Sequence, residues 1–196
     1  FDEGGNLVAN APHVPVHLGA MGECVRALVR DKNPQKGTAW ASNDPYAGGS
    51  HLPDITVIMP VFFRGKRICF VACRGHHIDV GGTHPGSMPP NASSIHQEGM
   101  LISQICLMRG GVFLVPDVSE SRQPEDVIAD LEAQVACCVF GIDQLHQLIS
   151  EVGAMVFSAQ LEHLQSYAER VALRWMSSHQ GRYFGREMFD DGFEIS

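Results

Sequence analysis

The chain has 196 residues, 44% of them hydrophobic and only 18% charged, with 14 Lys+Arg against 22 Asp+Glu and a formal net charge of −8. That length allows one domain, or two small ones, with a core that does not depend on disulfide staples, and the low charge content argues against a disordered chain. Net acidity argues against a general binder of nucleic acid or of anionic membranes.

The chain opens FDEGGNLVANAP, acidic, glycine-rich and without Met; no signal peptide is read there, and so abrupt a start is expected of a fragment or a processed chain. Pro12-x-x-Pro15 precedes residues 16–29, an expected helix with Gly19 and Gly22 on a close-packed face. Residues 55–63 are β-branched and aromatic, Arg64-Gly65-Lys66 turns the chain, and residues 67–74 run apolar again, which predicts an antiparallel hairpin. Residues 101–108, Gly110-Gly111 and 112–115 predict a second. Two loops, 42–54 and 75–98, hold most of the polar residues and glycines.

Three shifts place a boundary near residue 120. All eleven Pro lie at or before Pro124, and between Glu125 and Gln180 the only Gly are 141 and 153. Residues 1–98 carry 8 basic and 8 acidic side chains, net 0, whereas 99–196 carry 6 and 14, net −8. Pro124, Glu125 and Asp126 suit a helix N-terminus, and Val127, Ile128, Leu131, Val135 and Cys138 follow at helical spacing. Gly141 is read as a break. Ile142, Leu145, Leu148, Ile149 and Val152 form a second segment ended by Gly153, and Phe157, Leu161, Leu164, Ala168, Val171 and Trp175 a third helix. Its seam spans only three heptads and is read as a core or packing face rather than a coiled coil. The expected fold is α+β: a β-rich region over 1–120, about three helices over 121–180, and the start of a further segment at 181–196.

Cysteines at 24, 69, 73, 106, 137 and 138 form no C-x-x-C pair, so a reduced cytoplasmic protein is expected. No apolar run of about 20 residues exists for a transmembrane helix. Ser42, Ser50 and Ser87 lack the context of a nucleophile elbow. The glycine spacing matches neither a Walker A loop nor a dinucleotide fingerprint.

Seven of the ten His fall between 13 and 96: His13, His17, His51, His76, His77, His84 and His96. His51 and Asp54 stand immediately before the first hairpin strand, with Pro53 stiffening the turn between them. His76, His77 and Asp79 stand at the exit of the return strand. Hairpin pairing brings these ends together, and two imidazoles with a carboxylate are a divalent-metal ligand set with positions left for water. Successive strand side chains face opposite ways, so one of His76 and His77 points at the site. Gly81 and Gly82, with Gly48, Gly49 and Gly86, are candidates for backbone amides that stabilise negative charge. Glu98, closing the second loop, is a candidate general base. Against these readings stand ordinary turns, a hydrogen-bonded loop network and a solvated carboxylate.

The segments ANAPHVPVHLGAM, SNDPYAGGSHLPDITV, RGHHIDVGG, PGSMPP…IHQEG, DLEAQVA…GIDQLHQLISEVG and GRYFGREMFDDG together resemble the hydantoinase B/oxoprolinase family, in order and over nearly the whole chain. The resemblance implies a portion of a larger subunit, or of half of a fused chain, whose partner in a hetero-oligomer is an ATP-binding subunit of the hydantoinase A type. It implies ATP-dependent opening of cyclic amides such as 5-oxoproline and hydantoins, or alternatively ATP-dependent carboxylation of ketones. Carried over by motif, a divalent metal (Zn, Mn or Fe) is held by His51, Asp54 and His76, with Asp79 as a supporting carboxylate, and ATP is bound by the partner. Glu98 or Asp79 is then expected to move the proton, and the Gly81 and Gly82 amides to stabilise charge. A second expectation, of a different class, is an assembly-only region whose acidic helical half docks the ATPase subunit.

Overall fold

A computed structural model of the chain describes residues 1–11, 17–181, 184–189 and 192–195. His13, the Pro12-x-x-Pro15 motif and Val16 lie outside the described residues. Strands dominate early and helices late, an α+β arrangement: helix α1 (Ala20–Lys32), strand β1 (Thr38–Ser42), a 3-10 turn at Pro45–Ala47, β2 (Asp54–Phe63), β3 (Lys66–His76), α2 (Ile95–Glu98), β4 (Ile105–Arg109), β5 (Val112–Phe113), α3 (Pro124–Val152), α4 (Ala154–Ser178), and two short strands, β6 (Glu187–Met188) and β7 (Glu194–Ile195). Phe1–Ser158 form one compact unit and Ala159–Ser196 a second. In the second, β6 and β7 pair antiparallel.

Five strands form one antiparallel sheet in the order β3-β2-β1-β4-β5. The expected first hairpin is β2–β3, and the second is shorter than expected, since β4 begins only at Ile105. β1, the middle strand, carries the unassuming sequence TAWAS, yet four of its five residues are buried. Its strand character comes from neighbours on both sides rather than from its own composition.

β2 is buried on both faces, which is why it reads as an unbroken apolar run. Ile55, Val57 and Met59 join Val127, Leu131, Val135 and Cys138 of α3 in the larger core. On the opposite face Ile58 and Phe70 pack with Cys24, Val25 and Leu28 of α1. Pro60 is tolerated within β2 because its partner Phe70 turns its amide and carbonyl to Phe1 instead, and β1 reaches no further along β2 than Ile58.

Gly141 does not break the helix: α3 runs unbroken from Pro124 to Val152. Continuing the helix buries Ile149 completely, worth about 1.5–3 kcal/mol, more than the about 1 kcal/mol that a mid-helix glycine costs. Gly153, with φ 84, ends it. The two helical segments expected before Gly153 are therefore one. In α4 only Phe157 of the expected seam is buried; Leu164, Val171 and Trp175 are 46–60% exposed. All six cysteines are free thiols, and no helix among the described residues is long and apolar enough to cross a membrane.

Candidate metal centre

The β2–β3 register builds the site. Asp54, the first residue of β2, pairs with His76, the last of β3. A tight turn delivers His51 to the same point: the Asp54 amide donates to the His51 carbonyl at 2.9 Å, and the Pro53 carbonyl accepts from both Ile55 and His77. His51 Nδ1 lies 2.8 Å from Asp54 Oδ2, and His76 Nδ1 3.4 Å from Asp54 Oδ1. The two imidazole centroids are 5.0 Å apart. One nitrogen of each ring and one carboxylate oxygen lie within 4.8 Å of one another. His76 faces the carboxylate while His77 turns inward, as strand alternation requires.

These residues fit a divalent ion. Asp54 is 2% exposed, yet among the described residues its Oδ2 makes no hydrogen bond, although His51 Nδ1 lies 2.8 Å away. A buried carboxylate oxygen left without a donor is costly and rare in folded proteins, and a cation is the partner that would satisfy it. Two imidazoles and one carboxylate on one side, with both His side chains partly open to solvent, match first-row divalent metals with positions left for water or substrate.

Supporting contacts hold these groups in place. Asn43, fully buried, donates to the Leu52 and Met100 carbonyls and accepts from the Ile102 amide, pinning the loop that carries His51. Gly48, with φ 86, presses that loop against α1: a Cβ there would lie 2.3 Å from the Cys24 amide nitrogen. From α3, Gln134 donates its amide to the Ile55 and Cys73 carbonyls, so its Oε1 faces His77 and accepts from Nε2 at 3.0 Å. Gln134 reaches the strands because Gly75 carries no side chain in its path. Burial lowers the pKa of His77, against the opposing pull of this hydrogen bond. A cleft of about 270 Å³ between β3 and α3, lined by Cys73, Gly75, His76, Asp130, Gln134 and Cys137 among others, opens beside His76.

The other candidate residues form a separate network. Asp79 accepts from the Gly81, Gly86 and Arg122 amides and from the Arg122 guanidinium at 2.8–3.1 Å. Burial pushes its carboxyl pKa up, but these hydrogen bonds outweigh it and the net direction is down. Asp79 is thus fully engaged in holding its loop, and it is not in the group that converges with His51, Asp54 and His76. The Gly81 amide serves the same network, so in this arrangement it has no proton free for an oxyanion. Gly82, at φ 79, backs onto Gln97 and Glu98, where a Cβ would meet main chain at 2.6 Å. Glu98 ends α2 partly exposed beside it.

Sequence reading missed His17, Ser50 and Arg74 as parts of the site. His17 Nε2 lies 3.8 Å from Asp54 Oδ2, while its Nδ1 lies 3.3 Å from Ser50 Oγ and 3.4 Å from Arg74 Nη1. The signal available was the paired His of PHVPVH, but residues 17, 50 and 74 meet only through the tertiary fold.

A family model described as Hydantoinase B/oxoprolinase matches residues 1–196. The 5-oxoprolinase 1 of Arabidopsis thaliana is 40% identical over 200 residues, covering 93% of this chain and 16% of that protein. An ATP-dependent caprolactamase from Pseudomonas jessenii superposes with a TM-score of 0.73 at 27% identity, covering 92% of this chain and 32% of that one. A nucleotide-free acetone carboxylase superposes with a TM-score of 0.75 over 81% of this chain and 22% of that one; at 20% identity, the likeness is one of fold. The chain thus spans a small part of the length of these relatives.

Proposed function

The chain belongs to the hydantoinase B/oxoprolinase family, and from that premise we propose that it carries the metal centre of an ATP-dependent hydrolase of cyclic amides. The convergence of His51, Asp54 and His76 around a buried carboxylate oxygen that makes no hydrogen bond among the described residues carries the reading. Its relatives include a 5-oxoprolinase and an ATP-dependent caprolactamase.

An amide is a weak electrophile, and ATP activates it. By the family resemblance, the nucleotide is assigned to an ATP-binding partner of the hydantoinase A type, in a hetero-oligomer. This chain's part is the ring-opening half. His51, Asp54 and His76 would hold a Zn, Mn or Fe ion. When bound, such an ion supplies Lewis-acid polarisation of water or of the amide oxygen. Asp54, buried and fixed by strand pairing, sets the position of the centre, and the partly exposed His side chains leave it open toward substrate. Glu98 is the carboxylate proposed to move a proton. Asp79 and Gly81, engaged with Arg122, are proposed to hold the Gly82–Glu98 contact in place.

The test is substrate-dependent ATP hydrolysis by the full-length protein with its ATP-binding partner, against 5-oxoproline, hydantoin and acetone, with and without bicarbonate. Stimulation by a cyclic amide without bicarbonate, abolished by Asp54→Ala, is expected. Stimulation by acetone plus bicarbonate alone would move the assignment to a ketone carboxylase. Turnover that survives Asp54→Ala would reduce this region to an assembly role.

A further inference from the structure

His17 stands beside the candidate centre without belonging to its ligand group. Its tautomer is set by its neighbours. A guanidinium has only donors and does not deprotonate, and Arg74 is held rigidly: Nε donates to Thr56 Oγ1 at 2.7 Å, Nη2 to the Gly48 carbonyl at 2.7 Å, and Nη1 to Ser50 Oγ at 3.1 Å. Nη1 also lies 3.4 Å from His17 Nδ1, and Ser50 Oγ, already accepting from Arg74, has its own proton to give to that same nitrogen. Arg74 can only donate and the Ser50 hydroxyl is free to donate too, which favours Nδ1 as acceptor and the ring proton on Nε2. That N–H faces the Asp54 side of the centre, 3.8 Å from Oδ2, beyond hydrogen-bond reach. In this tautomer Nε2 offers no lone pair to a metal. The His17 side chain, 26% exposed, stays partly open to solvent beside the centre.

We propose that His17 donates its Nε2–H as a hydrogen bond to the acyl oxygen of the cyclic amide as negative charge develops there, with Arg74 and Ser50 as the residues that fix its tautomer. The proposal rests on the metal-centre reading above. It makes His17 an oxyanion donor supplied by a side chain, in a site where the Gly81 amide is already engaged.

The experiment uses the full-length protein in its complex, loaded with Co²⁺, and reads the Co²⁺ absorption spectrum, bound Co²⁺ and kcat for ring opening of hydantoin or 5-oxoproline. His17→Ala is expected to keep the metal and its spectrum while kcat falls about 10²-fold, the size of a lost oxyanion donor. The amide of His17→Gln reaches the place of Nε2, and that of His17→Asn the place of Nδ1. Gln is therefore expected to be at least about tenfold faster than Asn, a comparison that stands even if the alanine variant does not fold. Lost Co²⁺ or a changed spectrum in His17→Gln would make His17 a ligand and overturn the proposal. So would equal rates for Gln and Asn, or an alanine variant within threefold of wild type. A wild type that binds no Co²⁺, or opens no cyclic amide, would instead fail the underlying reading.

Discussion

Asp54 is the residue on which the site turns. Among the described residues its buried Oδ2 makes no hydrogen bond, though His51 Nδ1 lies 2.8 Å away, so replacing the carboxylate by its amide removes little that stabilises the metal-free fold. Asp54→Asn is expected to abolish binding of Zn²⁺ or Mn²⁺, read by metal titration, while changing the stability of the metal-free protein by less than about 1 kcal/mol. Loss of metal together with several kcal/mol of stability would mean that Asp54 is a structural residue. Asp79 presents the opposite case, a buried carboxylate with every nearby donor aimed at it. Asp79→Asn should cost about 2–4 kcal/mol. The pH dependence follows from its lowered pKa. The Asp79 contribution is present above the unfolded carboxyl value of about 3.9 and is lost as pH falls through the lower folded value. Urea midpoints between pH 3 and 7 should therefore fall more steeply toward acid in the wild type than in Asp79→Asn, and identical slopes would contradict the assignment. The convergence of His51, Asp54 and His76 was legible in the sequence because a hairpin makes distant positions into neighbours by simple counting. The place of His17 beside Asp54 was not, since the two meet only through the tertiary fold.

At the scale of elements, the glycines divide by what their backbones require. Gly141 sits within α3 without a positive φ, and a Cβ there would make only an ordinary contact with Val71 at 3.7 Å. Gly141→Ala should therefore raise stability by about 0.5–1 kcal/mol. Gly48, at φ 86 and against the α1 backbone, should lose at least about 2 kcal/mol on the same change and loosen the His51 loop. Thermal unfolding of the two variants reads both; a destabilised Gly141→Ala would mean that the helix is strained at that point. Local pattern told the reader where β2, β3 and the start of α3 lie, because an unbroken apolar run, a glycine turn and a first-turn proline are local signals. It misplaced a break at Gly141 because buried contacts beyond the glycine override helix propensity. It passed over β1 because small residues in TAWAS become a strand only between β2 and β4.

At the scale of the whole molecule, charge is divided along the chain. The neutral first half contains the His-rich loops and the His51, Asp54 and His76 cluster, and the second half carries the entire net charge of −8. α3 joins these halves physically: Val127, Leu131, Val135 and Cys138 pack on the sheet, and Gln134 holds the carbonyls of both site strands. The proposed function would split the chemistry between an ATP-binding partner that activates the amide and a metal-assisted centre built on one hairpin. The most direct test of that account is the divalent-metal content of the full-length protein after reconstitution with Zn²⁺, Mn²⁺ or Fe²⁺ and dialysis, compared with His51→Ala. The account predicts about one ion per chain in the wild type, as for a single three-ligand site, and none retained in the variant. A wild type that stays metal-free, or a variant that holds as much metal as the wild type, would contradict it.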